Sequence, residues 1–266
     1  MLKQFVKRYI FGVLATTYFQ PVFERLHSFA LWGMNIGLGS DVENSGEKCA
    51  LEKFAETMPS NGKLVVFDVG ANQGDFARAA VDILSARAEI HCFEPSPTTF
   101  QILEGTLNAY PGIQLHNVGL SERRAESTLY LDKEGSGCAS LYQRNLGQGL
   151  VMALTEQIRL VPLDEFCVEK SIDHIHYLKL DVEGHELDVL RGASRMISAG
   201  AIDWIQFEFG GCNLDSRTYF SDFFTLLQSQ YAIYRLLRNG LAPIGAYNEK
   251  QEVFSTTNFV ALRRTE

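Results

Sequence analysis

The 266-residue chain is 46% apolar, 21% charged and 11% aromatic, a balance that excludes collagenous, low-complexity and disordered classes. Lys and Arg number 24 against 32 Asp and Glu, a net charge of −8 with no basic cluster, which argues against a nucleic-acid partner. The five cysteines (Cys49, Cys92, Cys138, Cys167 and Cys212) are widely spaced and never form C-x-x-C, so reduced, unligated thiols and a cytoplasmic location are expected.

In chain order, Lys3, Lys7 and Arg8 precede the apolar run Ile10 to Phe19. Thr16, Thr17 and Gln20 break that run, no small-x-small cleavage site follows, and its length is too short for a membrane span. A helical cap over residues 1–62, packed on a main domain at 63–266, is the expected organisation. Peripheral membrane contact is the lesser reading, and the N-terminal helices also offer a route to a homo-oligomer.

From Lys63 onward, apolar or β-branched runs alternate with helical periods, the pattern of a parallel sheet covered on both faces. Strands are expected at Leu64–Val69, Glu89–Glu94 and Ile113–Val118, with helices at Asp75–Ala86 and Thr98–Asn108 between them. Glu126–Leu131 alternates like an edge strand, and the Gly- and Ser-rich stretch Asp132–Gly149 reads as a long mobile loop. Buried strands follow at Ile175–Leu180 and Trp204–Phe209. Between them a helix carries Leu187, Leu190, Ala193 and Ile197 on one face. Helix Tyr219–Gln230, strand Ala232–Leu237, the turn Asn239-Gly240 and strand Phe259–Leu262 close the chain.

In an open α/β sheet, ligands bind outside the carboxyl ends of the strands, so the residues there are the candidates. Asp68-Val69-Gly70-Ala71-Asn72-Gln73-Gly74 places two glycines where a strand turns into a helix and backbone N–H groups can approach an anion. Its G-x-x-x-G spacing lacks the extra glycine that a dinucleotide pyrophosphate needs. Glu94 ends the second strand, where a carboxylate can accept both ribose hydroxyls of an adenosine ligand. Asp181-Val182-Glu183-Gly184-His185-Glu186 crowds carboxylates and an imidazole at another strand exit, where Glu186 can simply complement a helix dipole. Glu208 sits between two aromatics at a fourth strand tip, and such burial is costly without a partner. His174-x-His176 belongs at the opposite, amino end of its strand, and no metal site is assigned.

In order and spacing, these motifs, with Phe93-Glu94-Pro95, Leu190-x-Gly192 and Phe207-Glu208, resemble the FkbM-type S-adenosylmethionine-dependent methyltransferases over roughly residues 64–264. The stretch from Gly37 to Glu47 also resembles the leader of members encoded with glycan-assembly genes. The resemblance implies a class I methyltransferase (Rossmann-like) fold, doubly wound, with a mostly parallel seven-stranded sheet ending in an antiparallel hairpin. It implies that Gly70, Asn72 and Gly74 hold the methionine part of S-adenosylmethionine and Asp68 braces their loop. It further implies that Glu94 binds the ribose, and that Asn117, Val118 and Gly119 flank the adenine. The implied acceptor is a hydroxyl of a sugar, glycan or secondary metabolite. Methyl transfer to oxygen needs positioning and a base for the alcohol proton. Asp181 leads as that base, followed by Glu208, Glu183 and His185. A non-catalytic scaffold of the same fold and a nicotinamide-dependent oxidoreductase are the competing readings.

Overall fold

The computed structural model describes residues 12–38, 42–59, 61–147 and 150–264. Among the described residues, eleven strands run in chain order: β1 Leu64–Val69, β2 Ala88–Phe93, β3 Ile113–His116, β4 Gly119–Ser121, β5 Ala125–Leu131, β6 Leu154–Pro162, β7 Ile175–Leu180, β8 Ile202–Phe209, β9 Tyr231–Leu237, β10 Gly240–Ile244 and β11 Thr257–Arg263. Eight of them form one sheet in the order β10-β9-β11-β8-β7-β1-β2-β3. The strands from β8 to β3 are mutually parallel, whereas β11 lies antiparallel between β8 and β9.

The count of seven is corrected to eight. The Asn239-Gly240 turn folds β9 back onto β10, and β11 is a separate insertion rather than the hairpin partner. Pro243 lies in β10, which sits at the sheet edge where a missing N–H is tolerated. A second, three-stranded sheet, β4-β6-β5, was not expected beyond its edge strand. It draws β4 away from β3, so the third strand ends at His116 and not at Val118.

Side-chain alternation along the central strands feeds two apolar layers. Phe67, Leu178, Leu180 and Phe207 pack with the helices Leu163–Lys170, Glu186–Gly192 and Phe220–Leu227, where Phe207 stacks on Phe223. Val66, Ile90, Tyr177 and Trp204 face the opposite layer with the helices Glu47–Thr57, Asp75–Leu84 and Pro97–Leu107. The last helix starts where Ser96 Oγ accepts the Thr99 N–H at 3.0 Å ahead of Pro97, the first-turn preference of both residues. The single helix expected over Leu187–Ile197 is two, Glu186–Gly192 and Ser194–Ser198, because the chain bends at Ala193. A Cβ on Gly192 would lie 1.9 Å from the Ser121 carbonyl oxygen, so this glycine lets the first of them press against β4.

The N-terminal extension divides. The helix Glu47–Thr57 buries Glu47, Ala50, Leu51 and Phe54 against the sheet, whereas the helix Gln20–Gly33 has no buried residue and does not cap the domain. Part of the segment read as a cap, residues 1–11 and 39–41, lies outside the described residues. Among the described residues, no helix is long and apolar enough to cross a membrane.

Candidate active site

The loop after β1 is held by its neighbours more than by its own turn. Gly70 has φ 82°, and a Cβ there would fall 1.8 Å from the Asp181 carbonyl oxygen, so only glycine allows the exits of β1 and β7 to meet. The N–H groups of Gly70 and Ala71 both donate to the Phe93 carbonyl at 3.0 Å. Glu94 completes the tie, one carboxylate oxygen accepting the Asn72 N–H at 3.0 Å and the other the Ser96 N–H at 2.9 Å. Burial pushes the Glu94 carboxyl up to about 7, against the pull of those two donors.

These residues wall a cavity with about 690 Å³ of empty space, whose far side is the apolar face of the small sheet, Leu129, Ile158 and Leu160. Gly70, Asn72, Glu94 and Gly119 line it. The other sequence candidates support it from behind. Gly74, at φ 90°, packs against Leu107 and Leu103, and Asn117 donates to the Glu94 and Pro95 carbonyls at 2.9 and 3.1 Å. Val118 packs on the core, and Asp68 is buried beneath the loop.

A second, polar cavity with about 1860 Å³ of empty space opens to solvent on the other side of the same loop. Gly70, Asn72, Asp181 and Glu183 belong to both walls. Asp68, Lys179 and Gln206 stand side by side in register on β1, β7 and β8, forming a buried polar row beneath it. Lys179 Nζ lies 3.3 Å from Asp68 and 3.4 Å from Asp181, and 5.2 Å above the Phe76 ring. Burial would push this ammonium down, but the carboxylates of Asp68, Asp181 and Glu47 outweigh it and hold Lys179 above its ordinary value. Gln206 donates to Glu47 at 2.8 Å and accepts from the Tyr177 hydroxyl at 2.5 Å. Glu208 is buried on the cavity wall. Burial, reinforced by Asp181, Glu183 and Glu186, pushes it well above the usual carboxylate range.

Glu183, in the left-handed region at φ 53°, pairs with the Arg144 guanidinium. His185 faces the apolar cavity and not the polar one, with Nε2 2.9 Å from Ser121 Oγ and Nδ1 3.2 Å from the Tyr142 hydroxyl. Burial pushes its pKa down, which keeps the ring neutral. Glu186 is the staple of the β7 exit, its Oε1 accepting the N–H groups of Val182 and Gly184 at 3.0 and 3.1 Å. Of the candidates taken from the sequence, Asp181, Glu183 and Glu208 lie on the wall of the polar cavity and His185 on that of the apolar one, and Glu47, Lys179, Arg144 and Gln206 join them without having been singled out.

Among the described residues, two groups have metal-ligand residue types. Glu183, Glu208 and Cys212 bring ligand atoms within 4.8 Å of one another, but Glu183 is engaged by Arg144 and burial pushes both the Glu208 carboxyl and the Cys212 thiol up, a poor match to a divalent cation. At the amino end of the sheet, His176 Nδ1 accepts the Val65 N–H at 3.0 Å, which leaves its proton on Nε2. His174 bonds Asp203 at 2.8 Å, and Arg263 holds the other Asp203 oxygen at 3.1 Å. That group ties strands together.

The sheet order, the glycine loop at the end of β1 and the acid at the end of β2 are those of a class I methyltransferase fold. The family model described as "Methyltransferase FkbM domain" matches residues 68–236, and the chain belongs to that family. It is 27% identical over 168 residues to "Methyltransferase 1" of Beauveria bassiana, covering 57% of this chain and 67% of the relative. It is 25% identical over 150 residues to "2-O-methyltransferase NoeI" of Sinorhizobium fredii, covering 50% of this chain and 59% of that one. With "Hexuronic acid methyltransferase AglP" of Haloferax volcanii it shares 30% identity over 139 residues, 51% of this chain and 52% of the relative. The chain therefore spans between about half and two thirds of the length of these relatives.

Proposed function

We propose that the protein transfers the methyl group of S-adenosylmethionine to a hydroxyl of a sugar or glycan, in the cytoplasm, with Asp181 as the base. The observation that carries this reading is that Asp181 stands on the shared wall of an apolar cavity and a polar one. The apolar cavity fits the cofactor. Gly70 and Gly119 bring bare backbone to its wall, Glu94 offers carboxylate oxygens to ribose hydroxyls, and the face of the small sheet offers apolar area to adenine. When bound, S-adenosylmethionine supplies a methyl group already activated on a sulfonium. The names of two relatives, a 2-O-methyltransferase and a hexuronic acid methyltransferase, support an oxygen acceptor of this class. Five unpaired cysteines suit a reducing compartment.

The chain's own residues then have separable tasks. Lys179, fixed by Asp68, lies beside Asp181, which accepts the hydroxyl proton as the oxygen attacks. Glu208 hydrogen-bonds a neighbouring acceptor oxygen, and Glu183, aimed by Arg144, orients another. His185 positions the β7 exit through Ser121 and does not reach the acceptor. The test is a panel of nucleotide sugars, lipid-linked sugars and oligosaccharides with methyl-labelled cofactor, analysed by mass spectrometry and fragmentation. A labelled O-methyl product supports the reading. Labelling only of amines or carbons would contradict it.

A further inference from the structure

The helix Gln20–Gly33 leaves its apolar face in water, while the segment that follows it is anchored to the fold. Val22, Phe23, Leu26, Phe29 and Ala30 recur at spacings of three and four and share one face, whereas Gln20, Glu24, His27 and Ser28 fall on the other. None is buried, and Phe29 is 72% and Leu26 53% exposed. Tyr18 and Trp32 flank the face, 82% and 59% exposed. The segment after the helix ties it to the domain. Asn35 donates to the Ser45 and Leu236 carbonyls at 2.8 and 3.1 Å, Ile36 is buried, and the Gly37 N–H bonds Thr256 at 2.8 Å. Gly37 is itself part of the polar cavity's wall.

Charge says what covers this face. Residues 1–35 carry Lys3, Lys7, Arg8 and Arg25 against Glu24, a net of +3, so the remaining 20 basic and 31 acidic residues leave −11 on the rest of the chain. A second copy would bring two positive segments together. An anionic lipid surface instead attracts the segment and repels the body, which selects one orientation. Aromatic residues beside an apolar stripe are the side chains that favour the lipid–water boundary. We propose that the apolar face of the helix Gln20–Gly33 docks the enzyme on an anionic membrane surface and holds the mouth of the polar cavity at that surface.

The test is flotation of the full chain with vesicles of phosphatidylcholine alone and of phosphatidylcholine mixed with phosphatidylglycerol, compared with the triple variant Phe23→Ser, Leu26→Ser, Phe29→Ser. These three side chains touch neither cavity, so the variant keeps its melting temperature and cofactor affinity. Wild type should float with the anionic vesicles, and the variant, the neutral vesicles or high salt should each weaken that association about tenfold or more. Absence of flotation with anionic vesicles overturns the proposal. So does flotation unaffected by the three substitutions. Sedimentation showing a dimer that the substitutions dissociate, without vesicle binding, would assign the face to a second copy and overturn it equally.

Discussion

In the proposed mechanism three side chains each have their own signature. Asp181→Asn keeps shape and polarity but accepts no proton, so turnover should fall about 10²-fold or more while calorimetry finds cofactor affinity nearly intact. Lys179→Met removes the only cation within reach of buried Asp68 among the described residues, leaving an uncompensated charge in the interior. That should cost about 3–5 kcal/mol and show as a lowered melting temperature, whatever its effect on rate. Glu94 predicts a pH dependence. Its carboxyl, raised from 4.5 to about 7 by burial, must lose a proton before it can bind ribose as a carboxylate. Cofactor affinity should therefore rise about tenfold per pH unit up to about 7 and then level, and Glu94→Gln should flatten the profile. Stability runs the other way. Between 4.5 and about 7 the cofactor-free fold binds more protons than the unfolded chain, so this residue's contribution declines as pH rises through that window. Asp181 and Glu94 were legible because they end strands. Lys179 and Glu47 were not, since their meaning depends on partners more than 100 residues away in Asp68 and Gln206.

At the scale of elements, the loop after β1 and the loop after β5 set what the site can do. Gly70→Ala would drive a Cβ into the Asp181 carbonyl from a backbone at φ 82°, so cofactor affinity and stability should fall together, the latter by about 2 kcal/mol or more. Cofactor binding and thermal melts of the same preparation check it. The stretch 132–147 covers both cavities, with Ser136 and Ala139 on the apolar wall, Cys138 and Arg144 on the polar one, and Ser140 Oγ donating to the Glu183 carbonyl at 2.7 Å. Its amide hydrogen exchange should slow when cofactor is added, and an unchanged rate would remove it from the site. The parallel core was readable because its strands are unbroken apolar runs. β6 was not, because Leu154 and Thr155 are exposed and alternation begins only at Ile158. Pro243 hid β10 in the same way, by breaking the pattern of an edge strand.

The whole molecule reads as a methyltransferase core with two additions that its central motifs do not announce. The helix Glu47–Thr57 brings Glu47 to the polar cavity, and the small sheet closes the apolar one. The central claim is that these two cavities divide the work, cofactor in one and acceptor in the other, with Asp181 between them. A crystal structure with S-adenosylhomocysteine tests it most directly. The account predicts ribose hydroxyls on Glu94, adenine against Leu129, Ile158 and Leu160, and the sulfur turned across the Gly70–Asn72 loop toward Asp181. S-Adenosylhomocysteine seated in the polar cavity, or with its sulfur facing away from Asp181, would contradict it.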